Sequence, residues 1–234
     1  MQSKPPIPQF PPSPRRNVLW IVLGCISILI AISVGLFWWL KSQIQSSGYT
    51  TDPTVRQFVI GNDVIELPLN MVRFKAQRDA TVLEQAELLI YWPDGKGYTE
   101  TNSKAAESDP NNTKPIFITL TKRVSDLDMD GRLEPIYMKL FDGPSTPGPA
   151  GLRLQKLIRG SGYDNEIIAL FPGENRVWTS RCQTKQDAIR TTCLRDVFVG
   201  NDLNLRYRFS TELLPQWQEV EELVLNTIQS KLGN

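Results

Sequence analysis

From Val18 to Leu40 the chain reads VLWIVLGCISILIAISVGLFWWL, 23 residues without a charge. At about 1.5 Å per residue a helix of that length crosses the roughly 30 Å hydrocarbon core of a bilayer with a little tilt, so a transmembrane helix is predicted over 18–40. Trp20 near one end and Phe37, Trp38 and Trp39 near the other suit the two interfacial aromatic belts. Arg15 and Arg16 flank the N-terminal end, with Lys41 alone at the other and no acid near either. The positive-inside rule then places residues 1–17 in the cytoplasm and exports everything after the helix. A secretory signal peptide has a shorter apolar core and a small-residue cleavage site, whereas this run ends in tryptophans, which makes it a signal anchor. Gly24, Ser27, Ala31 and Gly35 recur at spacings of three and four, a stripe that suits helix association in the bilayer.

The flanks are simple. Six of the 17 prolines fall in KPPIPQFPPSPRR, a composition that stays extended, so 1–17 is read as a Pro-rich cytoplasmic tail. Residues 41–54, KSQIQSSGYTTDPT, are polar and read as a tether. The folded, exported domain is expected over 55–234.

Within that domain the elements are short. RQFVIGNDVIELP and DVFVGNDLNLRYRF each place Gly-Asn-Asp between apolar arms, the signal of a tight hairpin. The segments 86–92, 115–120, 152–158, 166–171 and 176–182 are apolar or alternating and bounded by Gly, Pro or Asn, so they read as further strands. Residues 94–114 are polar and read as a long mobile loop. Near the C-terminus, Leu213, Trp217, Val220, Val224 and Ile228 recur at helical spacing, an apolar stripe suited to cover one sheet face. The expected fold class is α+β: one N-terminal transmembrane helix, then a mainly antiparallel sheet with a long C-terminal amphipathic helix.

Composition excludes several functions. All 25 acidic residues lie after residue 47, whereas Lys4, Arg15, Arg16 and Lys41 lie before it, so the domain is mildly acidic and lacks the basic footprint of a nucleic-acid partner. The chain has no histidine, which removes serine triads, Cys-His dyads and ordinary zinc hydrolase sites. Cys182 and Cys193 flank a ten-residue stretch between strand-like arms and are expected to form a disulfide in an oxidising compartment.

Two stretches are chemically distinctive. SDLDMDGRLEPIY places Asp126, Asp128, Asp130 and Gly131 like the opening of an EF-hand loop, with Glu134 at its ninth position. The twelfth position, however, is Tyr137 rather than a bidentate glutamate, and Pro135 sits inside the loop. The preferred reading is therefore a capped strand-to-helix turn, with a helix over about 133–141 and Gly131 at positive φ. Calcium on Asp126, Asp128, Asp130 and Glu134 is kept as the alternative, and no other cofactor is implied. Tyr91, Trp92 and Tyr98, around a Gly-bearing turn, are candidate binding aromatics, or else they cover a sheet end.

The stretches VIGNDVIELPLNMVRF, LLIYWPDGKGY, GRLEPIY and LLPQWQ resemble an uncharacterised family of single-pass, membrane-anchored proteins of Gram-negative bacteria, over most of residues 17–232. The resemblance implies an inner-membrane anchor and a periplasmic domain, and nothing catalytic. The expected function is a non-enzymatic envelope binding or scaffold component that contacts an unidentified envelope protein. The alternative is a carboxylate-based envelope hydrolase or glycan-acting enzyme, with calcium at the aspartate loop.

Overall fold

In a computed structural model of the chain, residues 15–45, 48–109, 112–174, 176–184 and 191–233 are described, with side chains of the first helix described over 20–36. The chain divides into two compact units, Met1–Ser46 and Ser47–Asn234. The first holds helix α1, Arg15–Gln45, whose side chains from Trp20 to Leu36 are exposed all round. Among the described residues no helix is long and apolar enough to cross a membrane. The span read over 18–40 reaches into side chains outside that description, and most of the 1–17 tail lies outside the described residues.

The second unit is the mixed α+β domain, with helices α2 (Lys75–Asp79), α3 (Glu100–Ser108) and α4 (Trp217–Gln229). Its strands are β1 (Val55–Ile60), β2 (Asp63–Pro68), β3 (Val82–Leu83), β4 (Gln85–Trp92), β5 (Lys114–Lys122), β6 (Thr146–Pro147), β7 (Arg153–Lys156), β8 (Glu166–Pro172), β9 (Val177–Gln183), β10 (Thr192–Val199) and β11 (Leu203–Ser210). Eight of them form one antiparallel sheet in the order β4-β5-β11-β10-β9-β8-β7-β6, and β2-β1-β3 form a small second sheet in which only β1 and β3 run parallel.

Alternation explains which face is buried. On β11, Leu203, Leu205, Tyr207 and Phe209 point into the core while Asn204, Arg206 and Arg208 point the other way. In register, Cys193, Arg195, Val197 and Val199 of β10 extend the same buried row. Helix α4, Trp217–Gln229, brings Trp217, Val220, Val224 and Ile228 to this core, so the apolar stripe read from the sequence is buried. Pro215 falls in the 3-10 segment Thr211–Gln216 that precedes the helix, so it interrupts no hydrogen bond of α4 itself. A smaller core of Met129, Tyr137, Leu157 and Ile168 lies beneath the excursion between β5 and β6.

Both Gly-Asn-Asp hairpins form, and their tips dock on each other. The buried Asp63 carboxylate accepts from the Asn201 and Asp202 backbone N–H groups, each at 2.8 Å. Gly200 has φ +61°, and a Cβ there would lie 2.5 Å from Asp63 Oδ1, so two independent constraints demand glycine.

Three expectations change. Residues 94–114 are not one open loop, because helix α3 spans Glu100–Ser108, started by the Thr99 side chain accepting from Asn102 N–H. Instead of a helix over 133–141 there is a 3-10 turn at Tyr137–Leu140, preceded by turns in which the Tyr137 and Met138 N–H groups donate five residues back, to the Arg132 and Leu133 carbonyls. Helix α1 continues past Leu40 to Gln45, and residues 48–54 of the expected tether belong to the domain. Gly48 carbonyl accepts from the buried Arg78 at 2.8 Å, and Tyr49 stacks on Tyr98 at 4.9 Å.

Cys182 and Cys193 are register partners on β9 and β10 and form a disulfide. The bridge closes a loop of sequence separation 11, so its loss through Cys182→Ser and Cys193→Ser is expected to cost about 2–3 kcal/mol. Chemical denaturation of the double variant against the oxidised parent checks this, and equal midpoints would refute it.

Candidate functional site

The aspartate loop lies where the large sheet divides. Strands β9 and β10 pair only at Cys193 with Cys182 and Leu194 with Arg181. Past that point Met129 N–H donates to the Asp196 carbonyl of β10, and the Asp130 carboxylate accepts from Thr179 N–H of β9 at 2.9 Å. The loop thus supplies partners for backbone groups that an uninterrupted ladder would have satisfied.

The same loop feeds a chain of buried charges. Asp130 pairs with Arg195, whose Nη1 lies 2.5 Å away. Arg195 is 4% exposed, and it also donates to the Glu221 carboxylate of α4 through Nε at 2.7 Å and Nη2 at 3.0 Å, and to Thr179 carbonyl at 2.9 Å. The Tyr207 hydroxyl and Trp178 Nε1 both donate to Glu221, and the Arg195 guanidinium lies over the Trp178 ring at 5.0 Å. Burial works against the Arg195 charge, but the electrostatic contributions of Tyr207 and of the Glu221 carboxylate and the hydrogen bonds to Asp130 and Glu221 outweigh it and raise its pKa above the ordinary value. Burial first, and then the Glu221 charge, push the Tyr207 phenol well above its usual range. The guanidinium is therefore a fixed cation bridging loop, sheet and helix, and the phenol a fixed donor.

Two further ion pairs complete the region. Asp128, 3% exposed, accepts from Gly131 N–H at 3.0 Å and pairs with Arg176, and Asp196 pairs with Arg132. Asp126 and Glu134 stay exposed. The four candidate calcium ligands therefore do not converge, and among the described residues no group of three or more acids or cysteines is placed to hold a metal ion. Guanidinium groups stand where a cation would have to bind. Gly131 also departs from expectation, since it is absent from the positive-φ glycines; a Cβ there would come within 3.2 Å of Leu127 Cδ2. Titration of the protein with calcium to millimolar concentration is expected to give no saturable heat and no rise in melting temperature, and a saturable isotherm would refute the ion-pair assignment.

The candidate aromatics are not brought to one platform. Tyr91 is buried, and burial pushes its phenol up. Tyr98 stacks on Tyr49, and Trp92 lines a concavity of about 610 Å³ with Pro93, Asn112, Lys114, Glu212, Leu213 and Gln216. Among the described residues that line it there is one carboxylate, Glu212, which is ion-paired with Lys114 at 2.5 Å. Glycoside hydrolysis ordinarily uses a pair.

Opposite the α4 face, the sheet presents cross-strand rows of Leu89, Phe117 and Arg208, then Glu87, Thr119 and Arg206, then Gln85, Thr121 and Asn204. Arg206 and Arg208 are exposed, and Arg123, at the Asp202 end of the same strand pair, lies over the Phe198 ring at 5.0 Å. The acids on this face are already committed: Glu87 to Arg73 at 3.8 Å and Asp196 to Arg132. Among the described residues no carboxylate pairs with Arg123, Arg206 or Arg208. Sequence reasoning passed over Arg206 and Arg208, although their alternation with apolar residues in LNLRYRF placed them together on the face away from the core.

These features define a class of α+β domain: an antiparallel sheet with one face sealed by a helix and a small sheet, and a basic, partly aromatic second face. No protein-family model matches the chain, and no curated protein matches it. Among solved structures, an immunity protein of the Stenotrophomonas maltophilia type IV secretion system has a similar fold, at TM-score 0.53 and 14% sequence identity, over 78% of this chain and 94% of that one. At that identity the likeness is one of fold.

Proposed function

We propose that this chain is a bitopic membrane protein whose folded domain binds another protein on the exported side, in the role of an immunity protein of a secretion system. The observation that carries the reading is the fold shared with 94% of an immunity protein. A non-enzymatic interaction role is also what the sheet offers, since its open face bears guanidinium groups that have no carboxylate partner among the described residues, a surface suited to contact rather than chemistry.

The address rests on separate support. Apolar side chains exposed all round α1 from Trp20 to Leu36 are costly in water and favourable in a bilayer. The Arg15 and Arg16 pair orients the N-terminus to the cytoplasm. The Cys182–Cys193 disulfide suits an oxidising compartment. With the family resemblance, these favour an inner-membrane anchor and a periplasmic domain.

The test couples capture to protection. The full chain, chemically crosslinked in its native membrane, is expected to retain a specific protein, and production of that protein in exported form is expected to arrest growth unless this chain is co-produced. Growth arrest unchanged by co-production would remove the immunity role.

A further inference from the structure

We infer that the open face of the large sheet, centred on Arg206 and Arg208 of β11 with Arg123 at its margin, is the docking surface, and that its occupant is an acidic protein surface. The inference rests on the protein-binding reading and adds where the partner sits and what chemistry it presents.

Charge placement carries the argument. The domain as a whole is mildly acidic, so a group of cations lacking acids is a local feature and not the background. Arg206 and Arg208 alternate on one strand, which sets their side chains on the same face about 7 Å apart. Each planar guanidinium can take a carboxylate through two parallel hydrogen bonds. The register would allow Asp196 to neutralise Arg206, yet Asp196 is turned to Arg132 at the loop, and Glu87 is turned to Arg73. The fold thus commits these two neighbouring acids to other arginines and leaves Arg206 and Arg208 without a carboxylate partner among the described residues. Around the arginines, half-buried Phe117, Thr119 and Thr121 form a flat, hydrogen-bonded floor. Floor rigidity means little ordering on association. Arg73 lies 4.8 Å from the Phe117 ring and 5.1 Å from the Phe74 ring, which fixes that edge as well.

The test uses the full chain in its native membrane, with a photo-crosslinking amino acid in place of Thr121 on the face or, separately, of Glu222 on the exposed side of α4. A protein adduct is expected at 121, to a partner with excess Asp and Glu. The pair Arg206→Glu and Arg208→Glu is expected to reduce that adduct about tenfold or more, Arg206→Lys with Arg208→Lys to reduce it less, and Lys104→Glu on α3 to leave it unchanged. Both arginines are exposed, and an unaltered melting temperature of the variants verifies that only the surface changed. Adducts at 222 but not at 121 would overturn this inference while leaving the protein-binding reading in place. A lipid adduct alone at 121 would overturn it in favour of a membrane surface. Protein adducts at neither position would overturn both.

Discussion

Exchange of Arg195 for methionine is expected to destabilise the domain by about 3–5 kcal/mol, the usual cost of removing one partner from a buried ion pair. For a domain of this size that is a fall in melting temperature of roughly 6–20 °C. The size of the effect follows from what is left behind. Asp130 and Glu221 both face the vacated space, and Thr179 carbonyl loses its donor. Methionine restores packing but none of those partners. Arg195→Lys keeps the charge, yet a single ammonium cannot span loop, strand and helix as the guanidinium does, so an intermediate loss is expected. Thermal and denaturant unfolding of both variants measures this. A loss below about 1 kcal/mol for Arg195→Met would show that the charges are dispensable and that the loop is held by its backbone contacts alone.

The second large effect is expected at Trp217, where exchange for alanine should cost about 3–5 kcal/mol. Trp217 begins α4 and packs against Trp178 at 4.4 Å and Phe171 at 5.0 Å between ring centroids, with Nε1 donating to Ala150 carbonyl at 3.4 Å. The truncated site lies between a helix and a sheet that are each fixed by other contacts, so it cannot collapse. Trp217→Phe keeps most of the ring contact and should cost less than half as much. The Trp178 ring contacts both Trp217 and the Arg195 guanidinium. The double variant Trp217→Ala with Arg195→Met is therefore expected to lose less than the sum of the two, because the second change acts on a ring already freed by the first. Strict additivity would show that Trp178 transmits nothing between them. Near-ultraviolet circular dichroism, sensitive to the packed indoles, gives a readout independent of unfolding.

Much of this architecture was legible because it rests on local patterns. Gly61-Asn62-Asp63 and Gly200-Asn201-Asp202 mark hairpins through turn chemistry, and the stripe from Leu213 to Ile228 marks the buried side of α4 through its period. What stayed hidden depends on distant partners. Nothing in DLDMDG announces that two strands separate to admit it, or that Arg176 and Arg195 arrive from elsewhere to meet its aspartates. Arg195 occupies a core-facing position in β10 where the pattern calls for an apolar residue, and only the converging Asp130 and Glu221 explain it. Helix α3 escaped because ETNSKAAES has little apolar periodicity, so its existence depends on the Thr99 cap. The basic face was written in the alternation of β11, but its meaning needed the acids of neighbouring elements to be seen paired with other arginines.

The centre of the large sheet joins parts of the chain that are made far apart in time. Strand β5 lies beside β11, and the free edge of β2 is closed by the C-terminal tail, with Glu66 N–H donating to Lys231 carbonyl and Gly233 N–H to Val64 carbonyl. A chain emerging N-terminus first can form the β1–β2 hairpin and the β4–β5 pair early, but neither can be completed until residues 203–233 arrive. Pairing over such separations is slow, and in the interval β5 presents an open edge to any other strand nearby. Until β11 covers the β5 edge and Leu232 takes its place beside Ile65 of β2, the folding chain therefore carries two open strand edges that can mispair.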